Sequence, residues 1–109
     1  MNDQRKCERL GVSFPVECKY FPDWKYFYTV SKDLSLGGLK ILTNDFLPKS
    51  NLIKLNINLI DKVVNVKAKV AWCNSERASE RYTAGLEFVE INPINKKELT
   101  NFINTIHNS

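Results

Sequence analysis

Histidine is nearly missing from this chain: His107, close to the C-terminus, is the only one. Without a second, neither a Ser-His-Asp nor a Cys-His nucleophilic set can be assembled around an interior histidine, and a terminal helix position is ordinarily solvated. Cysteine is scarce and odd in number. Cys7, Cys18 and Cys73 are widely spaced, with no CxxC and no Cys/His cluster. That excludes a zinc site of usual spacing and a disulfide framework, and leaves free thiols in a reducing cytoplasm as the expected state. HExxH and Walker A patterns are lacking, and the acidic residues are scattered. No apolar run approaches the length of a membrane span, and the opening "MNDQRKCERLG" has no apolar signal region. Together these gaps predict a cytoplasmic protein that is not an enzyme, holds neither metal nor cofactor, and does not insert into a membrane.

Strong charge of one sign is lacking too. Sixteen Lys and Arg against twelve Asp and Glu give a net charge of +4 over 109 residues. The basic side chains do not cluster along the chain as in a nucleic-acid tail, so no DNA or RNA partner is expected, and a small anionic ligand suits the balance at least as well. Hydrophobic residues at 43% and charged residues at 26% are ordinary for a soluble domain. The length predicts one domain, able to bury roughly 60–70% of its unfolded surface.

Most of what is present alternates. In "VSFPVECKY" Val12, Phe14, Val16, Cys18 and Tyr20 share one face, the period of a half-buried strand. Pro15 falls on the other face and favours an edge or bulge. "FPDW" reads as a turn, "KYFYTVS" as a second strand and "GLKILT" as a third. "IKLNINL" points Ile53, Leu55, Ile57 and Leu59 inward. A tight turn at "IDK" leads to "VNVKAKVAW", with Val64, Val66, Ala68, Val70 and Trp72 inward, so the two form a hairpin. "YTAGLEFVEI" is a sixth strand. The period then changes: Asn92 can cap a helix, Pro93 suits its first position, and Leu99, Phe102, Ile103 and Ile106 recur at helical spacing over about 93–107. Six antiparallel strands leave exposed edges unless the sheet closes. The expected fold is therefore a six-stranded antiparallel β-barrel with a C-terminal α-helix, spanning 11–109 behind a polar N-terminal arm of residues 1–10.

Two stretches stand out from that scaffold. "DLSLGGLKI" opens the third strand with Asp33, Ser35, Gly37 and Gly38, more polar and flexible backbone than a buried strand needs. "RKCER" places Arg5 and Arg9 four apart, and "RASER" repeats the spacing at Arg77 and Arg81 in a polar loop, where a solvated charge run is the default. The first pair differs by standing just ahead of strand one, from which a barrel can bring it to the entrance of strand three. Arg offers a planar fork of donors for phosphate oxygens or for the O6/N7 edge of guanine. An ionised Asp accepts, as guanine N1–H and N2–H require. Ser35 can bond a phosphate or nearby backbone, and glycines let backbone approach a ligand closely. D-x-S-x-x-G is also sound turn chemistry, with local bonds from Asp and Ser and a glycine at positive φ. The combination with RxxxR favours recognition of an anionic, guanine-bearing ligand.

Taken in order, these pieces resemble the PilZ domain family, bacterial receptors for cyclic di-GMP. "RKCER" resembles the family's RxxxR, "DLSLGGLKI" its [D/N]xSxxG and following strand, "VKAKVAW" a later strand and "YTAGLEF" the last. The resemblance implies a six-stranded barrel with a C-terminal helix and a second-messenger receptor without catalytic activity. It implies that Arg5 and Arg9 hold phosphate and guanine from a mobile arm, that Asp33 and Ser35 contact guanine and adjoining ligand groups, and that Gly38 is the motif glycine beside Gly37. Ligand would order the arm and present a new surface to a downstream protein partner or to a second copy. Gln4, just before the first Arg, adds no charge and favours a single bound ligand. The alternative is a protein-interaction module whose nucleotide site is vestigial. Trp72 reads as core rather than a stacking platform, Trp24 as an exposed turn residue, Lys67 and Lys69 as a solvating row, and Cys7 as an ordinary exposed thiol.

Overall fold

The computed structural model describes residues 13–21 and 25–107. Six strands precede one helix: β1 (Pro15–Tyr20), β2 (Lys25–Lys32), β3 (Gly38–Thr43), β4 (Leu52–Leu59), β5 (Lys62–Ser75), β6 (Tyr82–Glu90) and α1 (Pro93–His107). The sheet is a closed antiparallel barrel in the order β1-β2-β3-β6-β5-β4, with β4 returning to pair with β1. The architecture is the one the alternation predicts. The arm and Cys7 lie outside the described residues, as does Trp24.

Strict alternation fills the interior. Ile53, Leu55, Ile57 and Leu59 of β4 are buried, as are Val64, Val66, Ala68 and Val70 of β5 opposite them. Phe14, Val16 and Cys18 line the same core from the β1 side. Burial pushes the Cys18 thiol up to about 12, so it stays a protonated, unreactive packing group. On the outside, Lys67 and Lys69 pair across strands with Glu90 at 3.2 Å and Glu87 at 3.6 Å. α1 is capped as its sequence predicts: the Asn92 side-chain oxygen accepts from the Asn95 N–H at 2.8 Å. Leu99 and Ile103 are buried beneath it, and Phe102 meets Phe14 edge-on at 5.3 Å. Ile106, expected on the buried stripe, stays 37% exposed at the helix end.

The β4–β5 turn is strained. Ile60 adopts φ 51° and is 80% exposed. A β-branched residue in the left-handed region costs about 1–2 kcal/mol, with little burial here to offset it. Ile60→Asn is therefore expected to raise stability by about 1 kcal/mol, and the thermal midpoint by about 4–8 °C. An unchanged or lower midpoint in thermal melts overturns this reading of the turn.

One seam is thinly stitched. β2 and β3 pair only at Ser31↔Ile41 and Lys32↔Lys40, followed by a Thr29 hydroxyl donating to the Leu42 carbonyl at 2.7 Å. Beyond that point a cleft of about 430 Å³ opens, lined by Tyr28, Asn44 and Arg81 among others.

Candidate functional site

The entrance to β3 is built by hydrogen bonds that reach three other strands. The Ser31 N–H donates to the Phe14 carbonyl at 2.8 Å, and the Phe14 N–H donates to Ser31 Oγ at 3.2 Å. The start of β1 is thus fastened beside the end of β2. Asp33 follows in the left-handed region at φ 53°. Non-glycine residues seldom sit there, and Asp is among the few that tolerate it. Leu34 is fully buried and anchors the turn. Ser35 closes it: its N–H donates to the Gly38 carbonyl at 2.9 Å, and its hydroxyl donates to the same carbonyl at 3.3 Å while accepting from the Gly37 N–H at 3.1 Å. The Gly37 carbonyl accepts from the Phe88 N–H at 2.9 Å, which pins the turn to β6.

Gly38 is needed for a reason other than its dihedral freedom. Among the described residues no glycine has positive φ, so the expected left-handed glycine is not there; Asp33 takes that conformation instead. A Cβ on Gly38 would stand 2.1 Å from the Leu86 carbonyl oxygen. The glycine permits two backbones to meet. Ser35 in turn spends its hydroxyl on the local bonds that turn chemistry predicts, and it is 8% exposed.

A second correction concerns Trp72. Alternation from Val64 to Val70 predicts an inward indole. The register of β5 on β6 shifts between Val70, opposite Leu86, and Trp72, opposite Gly85. This irregularity turns Trp72 outward, where it is 38% exposed, and packs Cys73 against the core instead. The indole lies on Gly85, where an added Cβ would come within 2.3 Å of Trp72 Nε1. The signal was present in "YTAGLEF": a glycine inside a strand pattern marks a bulge or a close approach.

Asp33, Ser35, Gly38, Lys40, Trp72 and Gly85 line one cleft of about 220 Å³, and Gly37 borders it as well. Four of the six residues expected from sequence therefore converge. Arg5 and Arg9 lie outside the described residues. Lys40, which the sequence reading passed over, places Nζ 2.9 Å from Asp33 Oδ2 and 6.0 Å from the Trp72 ring centre. The two wider clefts, at the β2–β3 seam and beside Ile60 and Ile106, contain none of the motif residues. Arg81 lines the seam, away from the β3 entrance. Among the described residues no cluster of His, Cys, Asp or Glu could hold a metal ion, and no helix is long and apolar enough to cross a membrane.

The result is a small closed barrel whose third strand opens into a cleft edged by a carboxylate, a lysine, a glycine turn and an indole. The chain belongs to the PilZ domain family, whose model matches residues 3–105, a span that includes Arg5 and Arg9. No curated protein sequence matches it. Among solved structures it is similar to the Bacillus subtilis inhibitor of motility MotI/DgrA, at 21% identity and a TM-score of 0.79, covering 99% of this chain and 53% of that one. It is similar to the PilZ domain of YcgR from Escherichia coli, solved with c-di-GMP, at 15% identity and a TM-score of 0.73, covering 97% and 93%. Apo MrkH of K. pneumonia matches at 16% identity and a TM-score of 0.74, covering 96% and 51%. The chain thus spans about half the length of the MotI/DgrA and MrkH chains and nearly all of the YcgR domain.

Proposed function

We propose that this chain is a non-catalytic receptor for cyclic di-GMP in the bacterial cytoplasm. The observation that carries the reading is the cleft at the β3 entrance, where the Asp33 carboxylate and the Trp72 indole share one lining with the glycine turn, two residues past the Ser31 bonds that hold Phe14 at the start of the barrel. Asp33 accepts guanine N1–H and N2–H. Ser35 holds the turn and contacts the adjoining ligand groups, while Gly37 and Gly38 keep the rim free of side chains. Phe14 is five residues past Arg9, and each extended residue spans at most about 3.6 Å, so both arginines are within reach of the cleft. They grip phosphate and the O6/N7 edge of guanine.

Ligand fixes residues 1–10 on the barrel. Ordering costs about 1–2 kcal/mol per residue, and charge-assisted bonds of about 1.5–3 kcal/mol each offset it. The rearranged segment presents a new surface to a partner protein or a second copy. Solved structures of the YcgR PilZ domain and of MrkH with c-di-GMP support the reading by likeness of fold. MrkH is described as a transcription regulatory factor; the modest charge here favours a small anion over a polymer.

Titration of the purified protein with cyclic di-GMP should give saturable heat at a stoichiometry of one, together with a change in tryptophan emission. In Trp72→Phe the emission change should be lost while the heat remains. Absence of heat at micromolar protein overturns the proposal.

A further inference from the structure

We infer that Lys40 makes the site selective for guanine over adenine; the inference rests on the ligand-binding reading above and names a residue outside its motifs. Lys40 lies on β3 between Leu39 and Ile41, both buried, so its side chain leaves the barrel on the cleft side. Its register partner on β6 is Gly85, which puts no side chain in its path. Its ammonium therefore reaches Asp33 Oδ2 at 2.9 Å, with both side chains 38% exposed. An acceptor and a donor stand side by side at the mouth of one cleft, one held by the turn and the other by β3.

That pairing matches one face of one base. Guanine presents N1–H and N2–H donors next to the O6 acceptor, whereas adenine carries an N6 amino donor where guanine has O6. A carboxylate alone takes two bonds from guanine but can still keep one from the adenine amino group, so its discrimination is incomplete. An ammonium has only donors. Beside Asp33 it adds a bond to guanine O6, whose second lone pair is left for arginine, and it confronts the adenine amino group donor to donor, leaving that amino group without an acceptor there. Because the ammonium stays half-exposed and keeps Asp33 as a partner, the unmade contact costs less than in a buried site and discriminates moderately. Before ligand arrives, the ion pair keeps the two groups together. A half-exposed pair of this sort contributes little stability, so a base can insert against both without a large loss.

The test compares cyclic di-GMP and cyclic di-AMP as probes in competition titrations on wild type, Lys40→Met and Lys40→Gln. The wild type should prefer cyclic di-GMP. In Lys40→Met that preference should shrink by roughly 10- to 100-fold, through weaker cyclic di-GMP binding with cyclic di-AMP unchanged or tighter. Lys40→Gln, whose amide can donate to O6 but can also turn its oxygen to accept from the adenine amino group, should lose preference mainly through tighter cyclic di-AMP binding. If Lys40→Met weakens both ligands by one factor, Lys40 acts only as a charge for phosphate and the inference is overturned. An unaltered preference overturns it too, while leaving the receptor reading intact. Wild type that binds neither dinucleotide overturns both. Thermal melts of the variants should stay close to wild type, since a half-exposed ion pair contributes little stability.

Discussion

Gly38→Ala should destabilise the barrel by about 3–4 kcal/mol and lower its thermal midpoint by at least ~10 °C. The added Cβ would lie 2.1 Å from the Leu86 oxygen, 3.2 Å from its carbonyl carbon and 3.4 Å from the Glu87 Cα. All three are backbone atoms, so no side-chain rotation relieves the clash. Either β3 or β6 must withdraw. Withdrawal strains the paired residues Gly38↔Glu87 and Leu39↔Leu86 and the bond from the Phe88 N–H to the Gly37 carbonyl. Overpacking alone costs about 1–3 kcal/mol, and each weakened backbone bond adds about 1 kcal/mol. For a domain whose total stability is about 5–15 kcal/mol that is a large fraction. Leu36→Ala is the control: the residue lies in the same turn and is 41% exposed, and the variant should melt close to wild type. Equal melting of Gly38→Ala and wild type would show that the two strands do not meet as closely as described.

Gly38 also marks how far sequence reasoning reaches. Its presence in "LSLGG" was legible, and so was a turn at that place. Its cause was not, because the atom that forbids a side chain belongs to Leu86, 48 positions away in the chain. Local patterns encode local conformation and burial. They recovered β4, and β5 as far as Val70, because every inward residue there obeys a period of two, and they recovered α1 because Asn92 and Pro93 mark its start chemically. They failed at Trp72, where one irregularity of register reverses the face of everything after it. They also missed Lys40, which lies seven positions from Asp33 and meets it only because the turn folds back. The cleft was half legible: its motif residues could be named, but the indole and lysine that edge it depend on register and contact.

Arg9→Ala should abolish cyclic di-GMP binding in the proposed site while leaving the barrel folded. The hydrogen bonds of the described barrel begin at Phe14, so the substitution removes no ladder bond there. A guanidinium bound through two charge-assisted bonds contributes about 3–6 kcal/mol, so its removal weakens binding by about 10²- to 10⁴-fold. Arg5→Ala should fall in the same range. Arg9→Lys separates charge from geometry: the ammonium still attracts phosphate but lacks the planar fork, and a loss of about tenfold is expected. The chain supplies its own control in Arg77 and Arg81, spaced as Arg5 and Arg9 are but placed in the loop between β5 and β6. Their alanine variants should bind within about twofold of wild type, as exposed charges distant from a ligand act weakly in physiological salt. Calorimetry on the four alanine variants thus decides between specific recognition and general positive charge. Equal losses at both pairs would mean that charge alone draws the dinucleotide. Wild-type affinity in Arg9→Ala would detach the N-terminal segment from the site and leave the β3 cleft to bind alone.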